Sequence, residues 1–66
     1  SSDPYTRVAV GSSWQVTKTK KKTLAPVWNE ALAFELFGDE SEAAVSVWDW
    51  DLVGSDDLLG RVSLPL

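Results

Sequence analysis

The amino-acid sequence predicts an all-β protein: one small antiparallel β-sandwich, incomplete, with about five strands. Three observations predict it. Apolar residues recur with a period of two rather than 3.6. Turn-forming clusters interrupt that alternation about every 8–12 residues, the rhythm of a sandwich or barrel. Four tryptophans, two phenylalanines and one tyrosine stand among 66 residues without a single cysteine. So aromatic a chain is built to pack rather than stay disordered, and no disulfide or cysteine–histidine zinc staple can hold it.

Along the chain the first strand runs over residues 4–10, with Val8 and Val10 on one face and Tyr5, Arg7 and Ala9 on the other. Gly11-Ser12-Ser13 marks a compact turn. Residues 14–20 alternate again, Thr17 and Thr19 between Val16, Lys18 and Lys20, and their β-branched content favours a strand. Residues 21–26 connect, because Pro26 is excluded from a central strand. Residues 27–37 compete between two readings. Asn29 to Ala33 are fair helix formers, whereas Trp28, Leu32, Phe34 and Leu36 fit the spacing of a strand better after Glu30. An acidic turn covers 38–41. A short strand covers 43–48 with Val45 and Val47 inward, a polar loop covers 50–57 around Gly54, and a last strand covers 58–66 with Leu58, Val62 and Leu64 alternating.

Charge divides the chain. Residues 1–29 hold five cations against Asp3, whereas residues 30–66 hold nine carboxylates against Arg61, for a net charge of −4. Fields act within a Debye length, so the halves act separately. In the acidic half, Asp49, Asp51, Asp56 and Asp57 crowd around Gly54. Carboxylates this close repel, and a hard divalent cation such as calcium, which gathers oxygen ligands in flexible loops, relieves the repulsion. An EF-hand fails the test: counted from Asp49, its fifth position is Val53 and its twelfth, where a bidentate Glu is required, is Gly60. Spacing alone leaves a calcium loop and a plain solvated turn both open.

Catalysis is not expected. The chain has no His and no Cys, so a serine lacks its usual base and the aspartates lack a paired proton donor. Nucleic acid is not expected as a partner either, since the cationic run of Lys18 to Lys22 sits in an acidic chain without a wide basic surface. No run approaches the roughly 18 apolar residues of a membrane-spanning helix.

Three blocks carry a resemblance. Ser2-Asp3-Pro4-Tyr5, then Leu24-Ala25-Pro26-Val27-Trp28-Asn29-Glu30, then Trp48-Asp49-Trp50-Asp51 followed by Asp57-Leu58-Leu59-Gly60 together resemble C2 domains, in family order and with family-like spacing. The likeness is to those of conventional protein kinases C, synaptotagmins and related ubiquitin ligases. The resemblance implies a Greek-key sandwich that binds calcium (Ca2+) and anionic phospholipid, phosphatidylserine above all and also phosphoinositides, with protein partners as an alternative use. It implies a cytoplasmic peripheral membrane protein. Asp3 matches the family's first-loop aspartate, Asp49, Asp51 and Asp57 match the third-loop set, and the carbonyl of Trp50 matches a further calcium ligand. Asp56 is offset from that set and expected to face solvent. The family's other first-loop aspartate falls upstream of Ser1, and Gly54 stands where some members place a Ser. The implied site is therefore partial, and the chain is expected to be a piece of a longer domain, marginally stable, with unpaired edges that invite association.

On the same resemblance, Tyr5, Arg7 and Trp48 match a concave face that holds phosphoinositide head groups. Lys18 and Lys20 add general attraction to an anionic surface, each worth about 1 kcal/mol near an anionic leaflet; an ordinary solvated strand face is the competing reading. Leu52 and Val53 fall at the tip of the third loop, where apolar side chains either meet lipid or fold back on Trp50.

Overall fold

A computed structural model of the chain describes residues 3–20 and 24–66. Four antiparallel strands form one sheet: β1 (Pro4–Val10), β2 (Ser13–Val16), β3 (Glu42–Asp49) and β4 (Asp57–Pro65). Their order across the sheet is β2-β1-β3-β4. The turn Gly11-Ser12 closes β1 onto β2, and the long excursion between β2 and β3 returns the chain to the other side of β1. Among the described residues there is no helix.

Cross-strand partners share a face, so the register sorts the side chains. Val8 lies opposite Val45, which lies opposite Val62; Val10, Ala43 and Leu64 form the next row. That face is apolar, and its best-covered residues are Val10 and Ala43, 6% and 8% exposed, with Pro4 and Thr6 also buried. The amide of Thr6 stays satisfied there by donating to Thr17 Oγ1 at 2.9 Å. The opposite face carries the rows Tyr5–Trp48–Leu58, Arg7–Ser46–Arg61 and Ala9–Ala44–Ser63. Val8, Val10, Val45, Val62 and Leu64 therefore share the face on which the alternation puts them, Val62 and Leu64 exposed on it.

Three expectations are corrected. The strand expected over 27–37 forms no backbone ladder. The segment still runs antiparallel along the outer edge of β2, held by side chains: Trp28 Nε1 donates to the Lys18 carbonyl at 2.9 Å, the Lys18 amide donates to the Glu30 carboxylate, and Gln15 Nε2 donates to the Ala33 carbonyl. Trp28, Leu32 and Phe34 are half-buried between exposed neighbours, so the period of two survives without the pairing. Next, β2 ends at Val16 rather than at 20. Thr17 N still donates to Thr6 O, but the following backbone bond joins Lys20 N to Pro4 O, one residue out of register. Finally, Leu58 does not share a face with Val62 and Leu64. The β3–β4 register shifts between Val47, opposite Gly60, and Trp48, opposite Leu58, leaving Leu59 as an extra residue. Such a bulge turns Leu58 onto the polar face.

Gly11 shows how tightly the first turn is set. Its φ is +61°, and a Cβ there would sit 3.3 Å from Glu40 Cγ. Gly11→Ala is expected to destabilise the chain by about 1 kcal/mol, read as a lower urea midpoint at unchanged slope. An unmoved midpoint would contradict this account of the turn.

Candidate functional site

The register gathers the ends of three strands. Asp49, the last residue of β3, lies opposite Pro4 of β1 on one side and Asp57 of β4 on the other. Asp3 continues the pairing beyond Pro4: its amide donates to Asp49 Oδ1 at 2.9 Å, and its carbonyl accepts from Trp50 N at 2.9 Å. Residues 46 positions apart are thus joined directly. Asp3, Asp49, Trp50 and Asp57 come together at one end of the sheet, and Asp51 follows on the loop that leaves it.

The loop is braced on its own amides. Asp51 Oδ1 accepts from Val53 N at 3.0 Å, and Asp51 N donates to Asp56 Oδ1 at 2.9 Å. The other oxygen of Asp56 accepts from the Tyr5 hydroxyl at 2.6 Å. Asp56 was expected to face solvent; it is half-buried and anchors the loop to β1. No spacing could reveal this, since its partner lies 51 residues upstream.

The Tyr5 hydroxyl, and then the Asp51 amide, hold the Asp56 carboxyl below its ordinary value of 3.8. The same hydrogen bond pushes the Tyr5 hydroxyl above 10.0. A lowered carboxyl pKa means a contribution that is complete above the unfolded value and lost as pH falls through the folded one. A raised phenol pKa means the contribution is complete below 10.0 and lost as pH rises through the folded value. The brace is therefore expected to hold across the neutral range and to release in acid below 3.8 and in base above 10.0. Amide shifts of Asp51 and Val53 followed against pH check it, and an Asp56→Asn chain with the same acid titration as the wild type would refute it.

Calcium was the cofactor expected here. The available donors are all hard oxygens, four carboxylates and a backbone carbonyl, which suits calcium and not a soft metal. In place and chemistry the set fits. In orientation, among the described residues, no three acidic side chains converge on one point: Asp49, Asp51 and Asp56 are each turned onto a protein donor instead.

At the tip of the loop Leu52 and Val53 are 81% and 79% exposed, so neither is folded away on Trp50. Tyr5, Arg7 and Trp48 share the polar face, and Trp48 is fixed by donating Nε1 to Ser46 Oγ at 2.8 Å. The Arg7 guanidinium stands 5.0 Å from the centre of the Trp14 ring. Lys18 is exposed at the β2 edge, and Lys20 is half-buried beside Pro4, near the acidic end. Lys21 and Lys22, the rest of the cationic run, lie outside the described residues.

The comparisons with known proteins agree on one family. The family model described as the C2 domain matches residues 1–66. The chain is 47% identical over 64 residues to Ras GTPase-activating protein 4 of Mus musculus, covering 96% of this chain and 8% of that protein. It is 42% identical over 66 residues to Protein C2-DOMAIN ABA-RELATED 11 of Arabidopsis thaliana, covering all of this chain and 40% of that protein. It is 39% identical over 72 residues to E3 ubiquitin-protein ligase Nedd-4 of Drosophila melanogaster, covering 98% of this chain and 7% of that protein. The chain spans less than half the length of each of these relatives.

Proposed function

We propose, from the premise that this chain belongs to the C2 domain family, that it carries the protein it serves to anionic phospholipid membranes in response to calcium. As a C2 domain it is a non-catalytic membrane- or protein-interaction module, and the finer reading rests on the sheet end. The single observation that supports it is the hydrogen bond from the Asp3 amide to Asp49 Oδ1, which ties the segment before β1 to the end of β3. Asp3, Asp49, Asp51, Asp57 and the Trp50 carbonyl would hold the ion. Bound there, calcium supplies positive charge that offsets the carboxylates at the membrane-facing end. Leu52 and Val53, exposed at the tip, enter the lipid interface, where apolar side chains are favoured. Lys18 and Lys20 add attraction to phosphatidylserine, and Tyr5, Arg7 and Trp48 offer a face for phosphoinositides. The protein would then act at the cytoplasmic surface of a membrane, as a peripheral protein.

One observation favours a second reading, a calcium-independent lipid or scaffold module. Asp49, Asp51 and Asp56 are already satisfied by amides and by Tyr5, so the loop holds its shape on its own donors. Sedimentation with phosphatidylserine vesicles, in calcium and in chelator, separates the readings. A calcium-dependent module pellets only with calcium. Pelleting in both conditions, or in neither, would reject the calcium reading.

A further inference from the structure

The two edges of the sheet differ. β2 is four residues long, and the segment 27–37 lies along its outer side, held by Trp28, Glu30 and Gln15. β4 is nine residues long and exposed throughout, and no strand of the described residues pairs with its outer side. The register tells which of its backbone groups face outward. The Leu66 amide donates at 3.0 Å to the carbonyl of Ser41, the residue directly opposite it. Hydrogen-bonded pairs alternate along an antiparallel ladder, so Leu64 and Val62 also bond inward to β3. Arg61, Ser63 and Pro65 turn their backbone outward. The Trp50 amide gives the same parity from β1: bonded to the Asp3 carbonyl, it assigns Ser46 and Ala44 to β1 and leaves Val45 and Ala43 for β4. Pro65 agrees, since an outward position on an edge is where a strand tolerates a residue without an amide proton.

We propose that the outer edge of β4 pairs with the same edge of a second copy, antiparallel about a two-fold axis at Val62. Such a pair must set outward residues against outward residues, which leaves few registers on the stretch beyond the bulge at Leu59. One sets Arg61 against Arg61, and like charges directly opposite destabilise. Registers centred further along set Pro65 against Arg61, Ser63 or itself and lose a donor. The remaining register sets Arg61 against Ser63 of the second copy, twice over, and closes four backbone hydrogen bonds.

The side chains agree with that register. Val62 meets Val62 of the second copy, which carries the row Val8–Val45–Val62 across the junction as one apolar stripe. Leu64 lies opposite Gly60 of the second copy. A Cβ built on Gly60 would meet nothing within 4 Å, so the leucine has room there. Val62 and Leu64, both exposed in the single chain, lose contact with water, and Arg61 faces a serine rather than a cation. This self-complementarity commits the edge to a second copy, since a strand of another protein would need none of it. The junction uses none of the proposed calcium ligands, so it stands or falls separately from the calcium reading.

The test is run on the whole chain in chelator, by sedimentation equilibrium and amide hydrogen exchange from roughly 10 μM to 1 mM, the range for so short a junction. A monomer–dimer equilibrium is expected, with the Arg61 and Ser63 amides gaining more protection as the dimer fills than those of Val62 and Leu64, which already bond to β3. Ser63→Pro removes two of the four bonds and none of the β3–β4 ladder, and is expected to weaken the dimer at least about tenfold. Val62→Cys, in a chain without cysteine, is expected to cross-link on oxidation, because paired Cα atoms there stand roughly 4.5 Å apart. Ser63→Cys is expected not to, because its copies stand diagonally, roughly 9 Å apart. A monomer across the whole range would overturn the proposal and leave the edge to a strand of another protein. A dimer with unprotected Arg61 and Ser63 amides, or one that Ser63→Cys traps as readily as Val62→Cys, would overturn it as well and move the contact elsewhere on the sheet.

Discussion

Replacing Ala43 with aspartate is expected to leave the chain without a cooperative unfolding transition. Ala43 sits in β3 between Val10 and Leu64, and it and Val10 are the buried hydrophobic residues of the described sheet. A lone carboxylate at that point has no partner and costs several kcal/mol. A chain of this length commands roughly 3–10 kcal/mol in all. Two further features keep the reserve small. β4 is exposed along its whole length, and β2 and β4 are both sheet edges. Ala44→Asp, one residue away on the open face, is the control and is expected to shift stability by no more than about 0.5 kcal/mol. Far-UV dichroism through a urea titration reads both. Equal transitions in the two variants would mean that the faces have been assigned the wrong way round.

Asp49→Asn is expected to abolish calcium-dependent sedimentation while leaving the fold intact. Asparagine keeps an oxygen for the Asp3 amide, now 2.9 Å from Asp49 Oδ1, so the junction between β1 and β3 survives. What it removes is one full negative charge and one strong ligand from the centre of the proposed site, where charge count largely sets calcium affinity. The expected loss is at least about tenfold in the calcium required, with the melting temperature in chelator unchanged. If vesicle binding by Asp49→Asn matches the wild type in calcium, the charge of Asp49 is irrelevant to membrane attachment and the calcium-independent reading takes its place.

Much of the fold was legible in the residues. The alternation of Val8 and Val10, and of Val45 and Val47, located β1 and β3 because each strand carries an apolar face that must be buried. Gly11 announced the turn between β1 and β2, and the Asp-rich stretch around Gly54 announced the loop between β3 and β4. The blocks that carry the C2 resemblance predicted that Asp3 and Asp49 lie near one another although 45 residues separate them, and the two are joined by a hydrogen bond at one end of the sheet. The fifth strand failed for a physical reason: apolar alternation makes a segment fit to be a strand, but a ladder also needs a partner edge in register. β2 loses register after Thr17, so residues 27–37 meet it through Trp28, Glu30 and Gln15 instead.

By itself the sequence determined the class of fold, the inward faces of β1 and β3, and the collection of acidic residues in the third loop. Each of these is a property of one segment, set by which side chains can be buried and which must stay wet. The tertiary structure alone decided that Asp56 is anchored by Tyr5, that Leu58 turns to the polar face, and that Arg7 and Arg61 stand in one row. Those depend on the register between strands, and on the single extra residue at Leu59 that shifts it. Register is a relation between distant segments, and no segment carries it alone.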